Sequence, residues 1–299
     1  MANTIPVIDM KEVEGQSKKL IAACEEWGIF RVTNHGIPLP LLSEMKSVTR
    51  ALLDLPLEIK QRAPDREGFG KGYSAPVENI SLLEGMDVYD MASPGALEAF
   101  CSSLNVTPRQ RETMMKYSEA MHKLAMNIGN RIGEGLGLEG ELFKGWFCRF
   151  RLNIYRFTPE TVGLTGAPIH TDISFLTFLQ EDDKVNGLEI VDNKSGKLIP
   201  VDPVSGTLVV NVGDIAKAWS NGRFNNVKHR VQCNEGNTRV STVLFMLGPK
   251  DTKVEAPPQL VDSKHPRLYV PFSIEEYTQL RLSTRLPAGE ALEKLRTTS

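Results

Sequence analysis

The sequence predicts a mainly β protein, an antiparallel sandwich or barrel with flanking helices, on three observations. From residue 148 to residue 247 the chain breaks into short β-prone runs punctuated by turn residues, without the intervening helices that a parallel sheet needs. Before that stretch apolar residues recur at helical spacing, most clearly over residues 108–138. After it, residues 273–295 return to helical spacing.

Taken in order, residues 5–9 (IPVID) form a short β-prone segment, and residues 17–27 place Leu20, Ile21, Cys24 and Trp27 at helical spacing before a stop at Gly28. GIFRVTNHGIP then reads as strand and turn. A second helix fits residues 40–55, and Pro56 can open a third, because the first helical turn does not use the amide hydrogen that proline lacks. Residues 68–73, GFGKGY, hold three glycines and no periodicity, which predicts a loop, more commonly a simple surface turn and alternatively a lid that closes over a nearby opening with Tyr73. In the long helix the expected apolar stripe is Met115, Met121, Leu124, Ile128 and Ile132, ended by glycines at 135–140. The β-prone runs are FRLNIYRF, ISFLTFLQ, GLEIVD, KLIPV, TLVVNVG, VKHRVQC and RVSTVLFML. A prior of about 150 residues per domain allows two domains, yet sandwiches of this length commonly form one. The expectation is one integrated unit: an N-terminal helical region (1–145) that lends strands to the core, a β core (146–250), and a C-terminal extension with a helix (251–299).

Composition narrows the class. Lys and Arg number 35 against 37 Asp and Glu, giving a formal charge of −2, with no basic patch for nucleic acid and no cationic membrane segment. MANTIPVIDMKEVEG lacks the charged start and apolar stretch of a signal peptide, and no run approaches the ~18 apolar residues of a membrane span. A cytoplasmic protein acting on a small molecule is expected. Cys24, Cys101, Cys148 and Cys233 are far apart and form no CxxC pair, so they are expected to be reduced, buried thiols.

The chemistry starts at PIHTDISFLTFLQ (168–180). If this run is one strand, His170 and Asp172 project to the same face and share a pocket. Of the remaining histidines, His229 in VKHRVQC is the one within a strand pattern, on the face of Val227, Val231 and Cys233. Two neutral imidazoles and one carboxylate leave three of six octahedral positions open, an arrangement suited to non-haem Fe(II) handling O2 and a bidentate ligand. An HxD alone is more often a strand-end histidine and a turn aspartate making backbone hydrogen bonds. The next element is more selective: Arg239, Ser241, Val243 and Phe245 alternate onto one face of RVSTVLFML. An inward guanidinium needs a partner. A small dicarboxylate gripped by Arg239 and hydrogen-bonded by Ser241 would serve, whereas an edge-strand surface cation would not need one.

In these residues the chain resembles the plant-type 2-oxoglutarate- and Fe(II)-dependent dioxygenases, from IPVIDM through WGIFRVTNHGIP, the HTD, WSNGRFNNVKHRV and the RVS to the terminal helix. That resemblance implies a double-stranded β-helix (jelly roll) core with N-terminal helices packed outside. It implies His170, Asp172 and His229 as iron ligands, Arg239 and Ser241 as the clamp on the 5-carboxylate of 2-oxoglutarate, and Asn153 and Tyr155 beside the same cosubstrate. It further implies O2 as oxidant, ascorbate as reductant, and oxidative decarboxylation of 2-oxoglutarate to succinate and CO2 coupled to attack on a substrate C–H. The family's common NYYP stands here as NIYRF, and RxS also occurs in relatives that do not use 2-oxoglutarate.

Phe175 and Phe245 are the expected pocket walls, equally readable as core, and Arg151, in phase with Asn153 and Tyr155, could meet a substrate carboxylate or stand at the rim. VYDMASP (88–94), FLQEDDKVNGLEIVDNKSG, WSNGRFNNVKHRVQC, LGPKD and EAPPQLVD resemble the dioxygenases for auxin oxidation, which convert indole-3-acetic acid to 2-oxindole-3-acetic acid. The alternatives are a 2-oxoglutarate-dependent hydroxylase or demethylase of a plant specialised metabolite such as an alkaloid and, more remotely, a non-catalytic jelly-roll binding protein.

Overall fold

A computed structural model describes residues 5–12, 15–66, 70–76, 82–91, 93–286 and 289–297 of the 299-residue chain. The first strand, β1 (Val7–Asp9), lies parallel to β2 (Ile29–Thr33), with α1 (Gln16–Glu26) between them. Gly28 makes the tight exit from α1: its φ is +69°, and a Cβ would sit 2.1 Å from the Asn225 carbonyl oxygen. Next come α2 (Leu39–Leu53) and α3 (Leu57–Lys60), then β3 (Tyr73–Ser74), β4 (Leu83–Tyr89) and α4 (Pro94–Ser103). The long helix α5 (Pro108–Gly135) opens with a capping box, in which Thr107 Oγ1 accepts from the Gln110 amide and Gln110 Oε1 accepts from the Thr107 amide.

The apolar stripe of α5 differs from the expectation at one point. Met121, Leu124, Ile128 and Ile132 are buried, but Met115 is 54% exposed and Met114 is buried instead. Counting back from Met121 by four and then three residues reaches Tyr117 and Met114, so Met115 falls outside the stripe.

The remaining strands are β5 (Trp146–Tyr155), β6 (Thr165–His170), β7 (Leu176–Gln180), β8 (Leu188–Val191), β9 (Leu198–Pro200) and β10 (Leu208–Val212). A short helix α6 (Asp214–Trp219) precedes β11 (His229–Gln232) and β12 (Arg239–Pro249), and α7 (Ile274–Thr284) and α8 (Glu290–Glu293) follow. They build a jelly roll of two sheets, one ordered β1-β2-β10-β7-β12-β5-β4-β3 and the other β6-β11-β8-β9. Four strands from before residue 146 thus extend the larger sheet at both ends. The main core lies between this sheet and α1, α2 and α5, while two smaller apolar clusters lie inside the roll, one around Ile29, Leu188 and Val209 and the other around Tyr155, Ala167 and Val231. All four cysteines are free and buried, and burial pushes the Cys148 thiol up to about 12. No helix among the described residues is long and apolar enough to cross a membrane.

One expectation is corrected. PIHTDISFLTFLQ is not a single strand: His170 ends β6 in the smaller sheet, β7 begins at Leu176 in the larger one, and Asp172 lies on the link. The histidine and aspartate meet because the chain crosses between sheets there, not because they alternate along one strand.

Candidate active site

Antiparallel pairing of β6 with β11 sets His170 directly opposite His229, with ring centroids 4.3 Å apart. Each Nδ1 lies against the carbonyl two residues earlier, Pro168 O at 2.8 Å and Val227 O at 3.2 Å, which assigns the proton to Nδ1 and leaves both Nε2 lone pairs for the cavity. Asp172 Oδ1 lies 3.6 Å from His170 Nε2 and 3.9 Å from His229 Nε2. The candidate ligand atoms of the three residues lie within 4.8 Å of one another.

Burial, and then His229, push the His170 pKa down to about 4, so its imidazole is neutral at ordinary pH. For Asp172 burial acts upward but is outweighed by the two imidazoles and by hydrogen bonds, which hold its carboxyl at about 2. Those bonds come from Thr177 Oγ1 at 2.7 Å and Asn211 Nδ2 at 2.9 Å, both to Oδ2, so that Oδ1 alone faces the histidines. The set fits a divalent iron: two neutral nitrogens and one oriented carboxylate oxygen on one side, the other side open to the cavity. Neither Thr177 nor Asn211 was anticipated. The available signal was a polar residue interrupting each apolar run, ISFLTFLQ and TLVVNVG.

The loop holding Asp172 is braced from behind. Asp214, fully buried at the start of α6, donates its amide to Asp172 O at 2.8 Å. Its carboxylate accepts from Asn226, from the Tyr277 hydroxyl at 2.7 Å and from Arg281 at 3.0 Å. Arg281 also donates to Thr171 O at 2.9 Å.

Beside the three residues, β12 and β5 form an unbroken ladder in which Arg239 opposes Tyr155, Ser241 opposes Asn153, Val243 opposes Arg151 and Phe245 opposes Arg149. The first three of these pairs and Phe245 line the same cavity as His170, Asp172 and His229. Arg239 is 2% exposed, its guanidinium lies 5.2 Å from the Tyr155 ring centroid, and its Nε has no hydrogen-bond partner. The buried Ser241 hydroxyl is likewise without one. A carboxylate is near after all, Glu181, but it is bound to Arg31 at 2.9 Å. Burial raises the Glu181 pKa against the pull of Arg31 and Arg239. A buried cation and hydroxyl left open in this way fit a dianionic cosubstrate, whose carboxylate would satisfy both.

Two of the expected wall residues are placed otherwise. Phe175 is fully buried among Phe143, Trp146 and Trp219 and does not line the cavity. It still belongs to the link before β7, so the alternation that turns Thr177 and Leu179 inward does not reach it. Tyr73 is buried on the edge strand β3 with its hydroxyl on Glu84 at 2.6 Å, away from the cavity lining. Gly68 and Phe69 of the expected lid lie outside the described residues. Arg151 does line the cavity, but its guanidinium is held by Asp87 and by Asn153 Oδ1, because β4 sets Asp87 opposite Arg151. Phe245 lines the cavity as expected, under the guanidinium of Arg149 at 4.2 Å.

This geometry agrees with the chain's likeness to known proteins. Residues 146–247 match the 2OG-Fe(II) oxygenase superfamily, and residues 5–110 match the family described as non-haem dioxygenase in morphine synthesis N-terminal. The chain is 46% identical over 296 residues to the 2-oxoglutarate-dependent dioxygenase DAO of Oryza sativa subsp. japonica, covering 97% of this chain and 98% of the relative. The crystal structure of the rice dioxygenase for auxin oxidation superposes with a TM-score of 0.89 at 45% identity, over 98% of this chain and 100% of that one. Dioxygenase for auxin oxidation 1 from Arabidopsis thaliana, in its binary complex with 2-oxoglutarate, gives 0.85 at 47% identity, over 88% of this chain and 100% of that one. With likeness running through nearly the whole chain and a site suited to the same metal and cosubstrate, the protein belongs to the 2-oxoglutarate- and Fe(II)-dependent oxygenase superfamily and is a 2-oxoglutarate-dependent dioxygenase.

Proposed function

We propose that the protein oxidises indole-3-acetic acid to 2-oxindole-3-acetic acid, with His170, Asp172 and His229 holding Fe(II) and with Arg239 and Ser241 holding the distal carboxylate of 2-oxoglutarate beside Asn153 and Tyr155. The observation that carries the substrate is the 46% identity to the rice dioxygenase for auxin oxidation over nearly the full length of both chains.

Bound iron and 2-oxoglutarate supply the oxidant, consuming O2 and releasing succinate and CO2 as one oxygen atom enters the substrate. The chain's own groups do the rest. The neutral imidazoles donate through Nε2, and Asp172 brings a single negative charge through Oδ1 because Thr177 and Asn211 occupy Oδ2. Arg239 neutralises the buried carboxylate, and its own burial strengthens that attraction by excluding water. Leu179, Leu188, Val231 and Val243 keep the reacting space apolar. Ascorbate is the expected external reductant, and the cytoplasm the expected location.

The test is succinate formation by anaerobically Fe(II)-loaded protein given 2-oxoglutarate, ascorbate, O2 and a panel of indole-3-acetic acid, other aromatic acids and alkaloids. Gain of one oxygen atom by indole-3-acetic acid, stoichiometric with succinate, is the expected result. Turnover of an alkaloid but not of indole-3-acetic acid would move the enzyme to specialised metabolism.

A further inference from the structure

Strand β2 carries an arginine in the middle of an apolar run, IFRVT, and buries it: Arg31 is 5% exposed. Its place follows from pairing. Ile29, two residues earlier, lines the active-site cavity, so Arg31 points into the roll from the same face. Arg31 pairs with Val209 of β10, Val209 with Leu179 of β7, and Leu179 with Val243 of β12, a row that ends two residues from Ser241. The guanidinium donates to Glu181 Oε2 at 2.9 Å, to Thr207 Oγ1 at 2.8 Å and to the Asp202 carbonyl at 2.7 Å. None of these partners belongs to the iron site or to the cosubstrate clamp.

Glu181 makes this pair consequential. The register that sets Gln180 against Thr242 brings Glu181, the next residue, beside Ser241 on the interior face, two residues from Arg239. Glu181 is buried, and burial raises its pKa against the pull of Arg31 and then of Arg239, so both cations act on one carboxylate. Arg239 itself makes no ion pair among the described residues, and its buried Nε has no hydrogen-bond partner. The adjacent Asp182 is not a rival for it, because the Asp182 carboxylate accepts from the amides of Lys184, Val185 and Val240. Two guanidiniums and Glu181 leave one net positive charge at this end of the cavity, the complement of one carboxylate. Without Arg31 the sum is zero, and a buried carboxylate that has lost its partner is drawn to the nearest open guanidinium, that of Arg239.

We infer that Arg31 is a positioning residue for the cosubstrate clamp: by holding Glu181, it keeps Arg239 free to receive the distal carboxylate of 2-oxoglutarate. Glu181 is then an internal competitor held in check, and the strength of the clamp depends on a strand that precedes the β core by more than a hundred residues. The inference rests on the dioxygenase reading of the cavity and adds to it a residue that acts only through another.

The test is anaerobic equilibrium binding to the Fe(II)-loaded full chain of two probes: 2-oxoglutarate, and 2-oxopentanoate, which has the same carbon chain with a methyl group in place of the distal carboxylate. The wild type should prefer 2-oxoglutarate. Arg31→Met should cut that preference about tenfold or more, the size of a lost charge-assisted contact, by weakening 2-oxoglutarate alone. Glu181→Gln should keep the preference, and the double variant Arg31→Met/Glu181→Gln should restore it, because the competitor is gone. A preference unchanged by Arg31→Met, equal weakening of both probes, or a loss that Glu181→Gln does not rescue overturns the proposal. Should Arg31→Met alone fail to fold, the double variant, which leaves neither charge of the pair buried, carries the test: the wild-type preference is expected, and its loss overturns the proposal. Arg239→Ala separates this from the clamp itself. A preference that Arg239→Ala does not lower removes the clamp and the proposal together, whereas one that Arg239→Ala lowers and Arg31→Met does not overturns the proposal alone.

Discussion

The inner cavity of the candidate active site and a wider outer cavity of about 470 Å³ that adjoins it, lined by Arg149, Arg151, Arg281 and Arg285, share a wall but are built on different principles. The inner one is organised by backbone pairing: two rungs of the β5–β12 ladder carry Tyr155 with Arg239 and Asn153 with Ser241, and one rung of the β6–β11 ladder carries His170 with His229. The outer one is organised by charge compensation between distant elements, Asp87 of β4 behind Arg151 of β5 and Asp214 of α6 behind Arg281 of α7. Pairing places side chains by register and leaves a repeating pattern in the sequence. Compensation leaves none, because which arginine stays available depends on which carboxylate the fold brings behind its neighbour.

Three perturbations probe this division, beginning with the largest, and a fourth lies outside it. Asp172→Ala should take turnover to background while circular dichroism and the thermal midpoint stay close to wild type; retained turnover would mean that the metal is held elsewhere. Arg239→Ala should raise the 2-oxoglutarate requirement about 100-fold, the size of a lost bidentate charge-assisted contact. It should leave Fe(II) affinity in the absence of 2-oxoglutarate unchanged, and a loss of iron binding would tie the clamp to the metal site. Asn211→Ala frees one hydrogen bond on Asp172 Oδ2 and should weaken Fe(II) binding by about 10–100-fold, read by metal titration. An unchanged affinity would assign the orientation of Asp172 to Thr177 alone.

The smallest effect is one of pH, far from both cavities. Burial lowers the pKa of His35 and His122 below the 6.5 of an unperturbed imidazole, although a hydrogen bond to Gly206 opposes it at His35. The unfolded chain therefore takes up these protons first as the pH falls. Stability is complete above about 6.5 and declines below it, toward the lowered folded-state values. With metal bound, so that His170 does not contribute, the thermal midpoint should drop by a few degrees at most between neutral pH and pH 5, and His122→Gln should flatten part of the slope. A midpoint that rises on acidification would contradict the sign.

Much of the inner cavity was legible. Alternation along RVSTVLFML aimed Arg239, Ser241, Val243 and Phe245 at one space, and they line it. Legibility ended where a residue lies just outside an element. Asp172 and Phe175 both sit on the link between sheets, where period-2 reasoning does not apply, and they face opposite ways. The long helix gives the same lesson in reverse: its stripe was clear from Met121 onward, while at its first turns Met114 and Met115 are adjacent methionines that only a strict count separates. For Arg151 the missing fact was β4, a strand that the sequence reading did not identify and whose Asp87 claims the guanidinium.

Asp214 also gives metal competence a place in time. The loop between His170 and Asp172 is held by Arg281 on Thr171 O and by the Asp214 amide on Asp172 O, and the Asp214 carboxylate in turn is held by Tyr277 and Arg281 of α7. A nascent chain that has already made all three proposed iron ligands still lacks the contacts from Tyr277 and Arg281, because α7 follows β11 and β12 in the chain. A chain ending before α7 would therefore carry all three proposed ligands and the Asp214 amide bond, yet lack the side-chain contacts that fix the Asp214 carboxylate and Thr171.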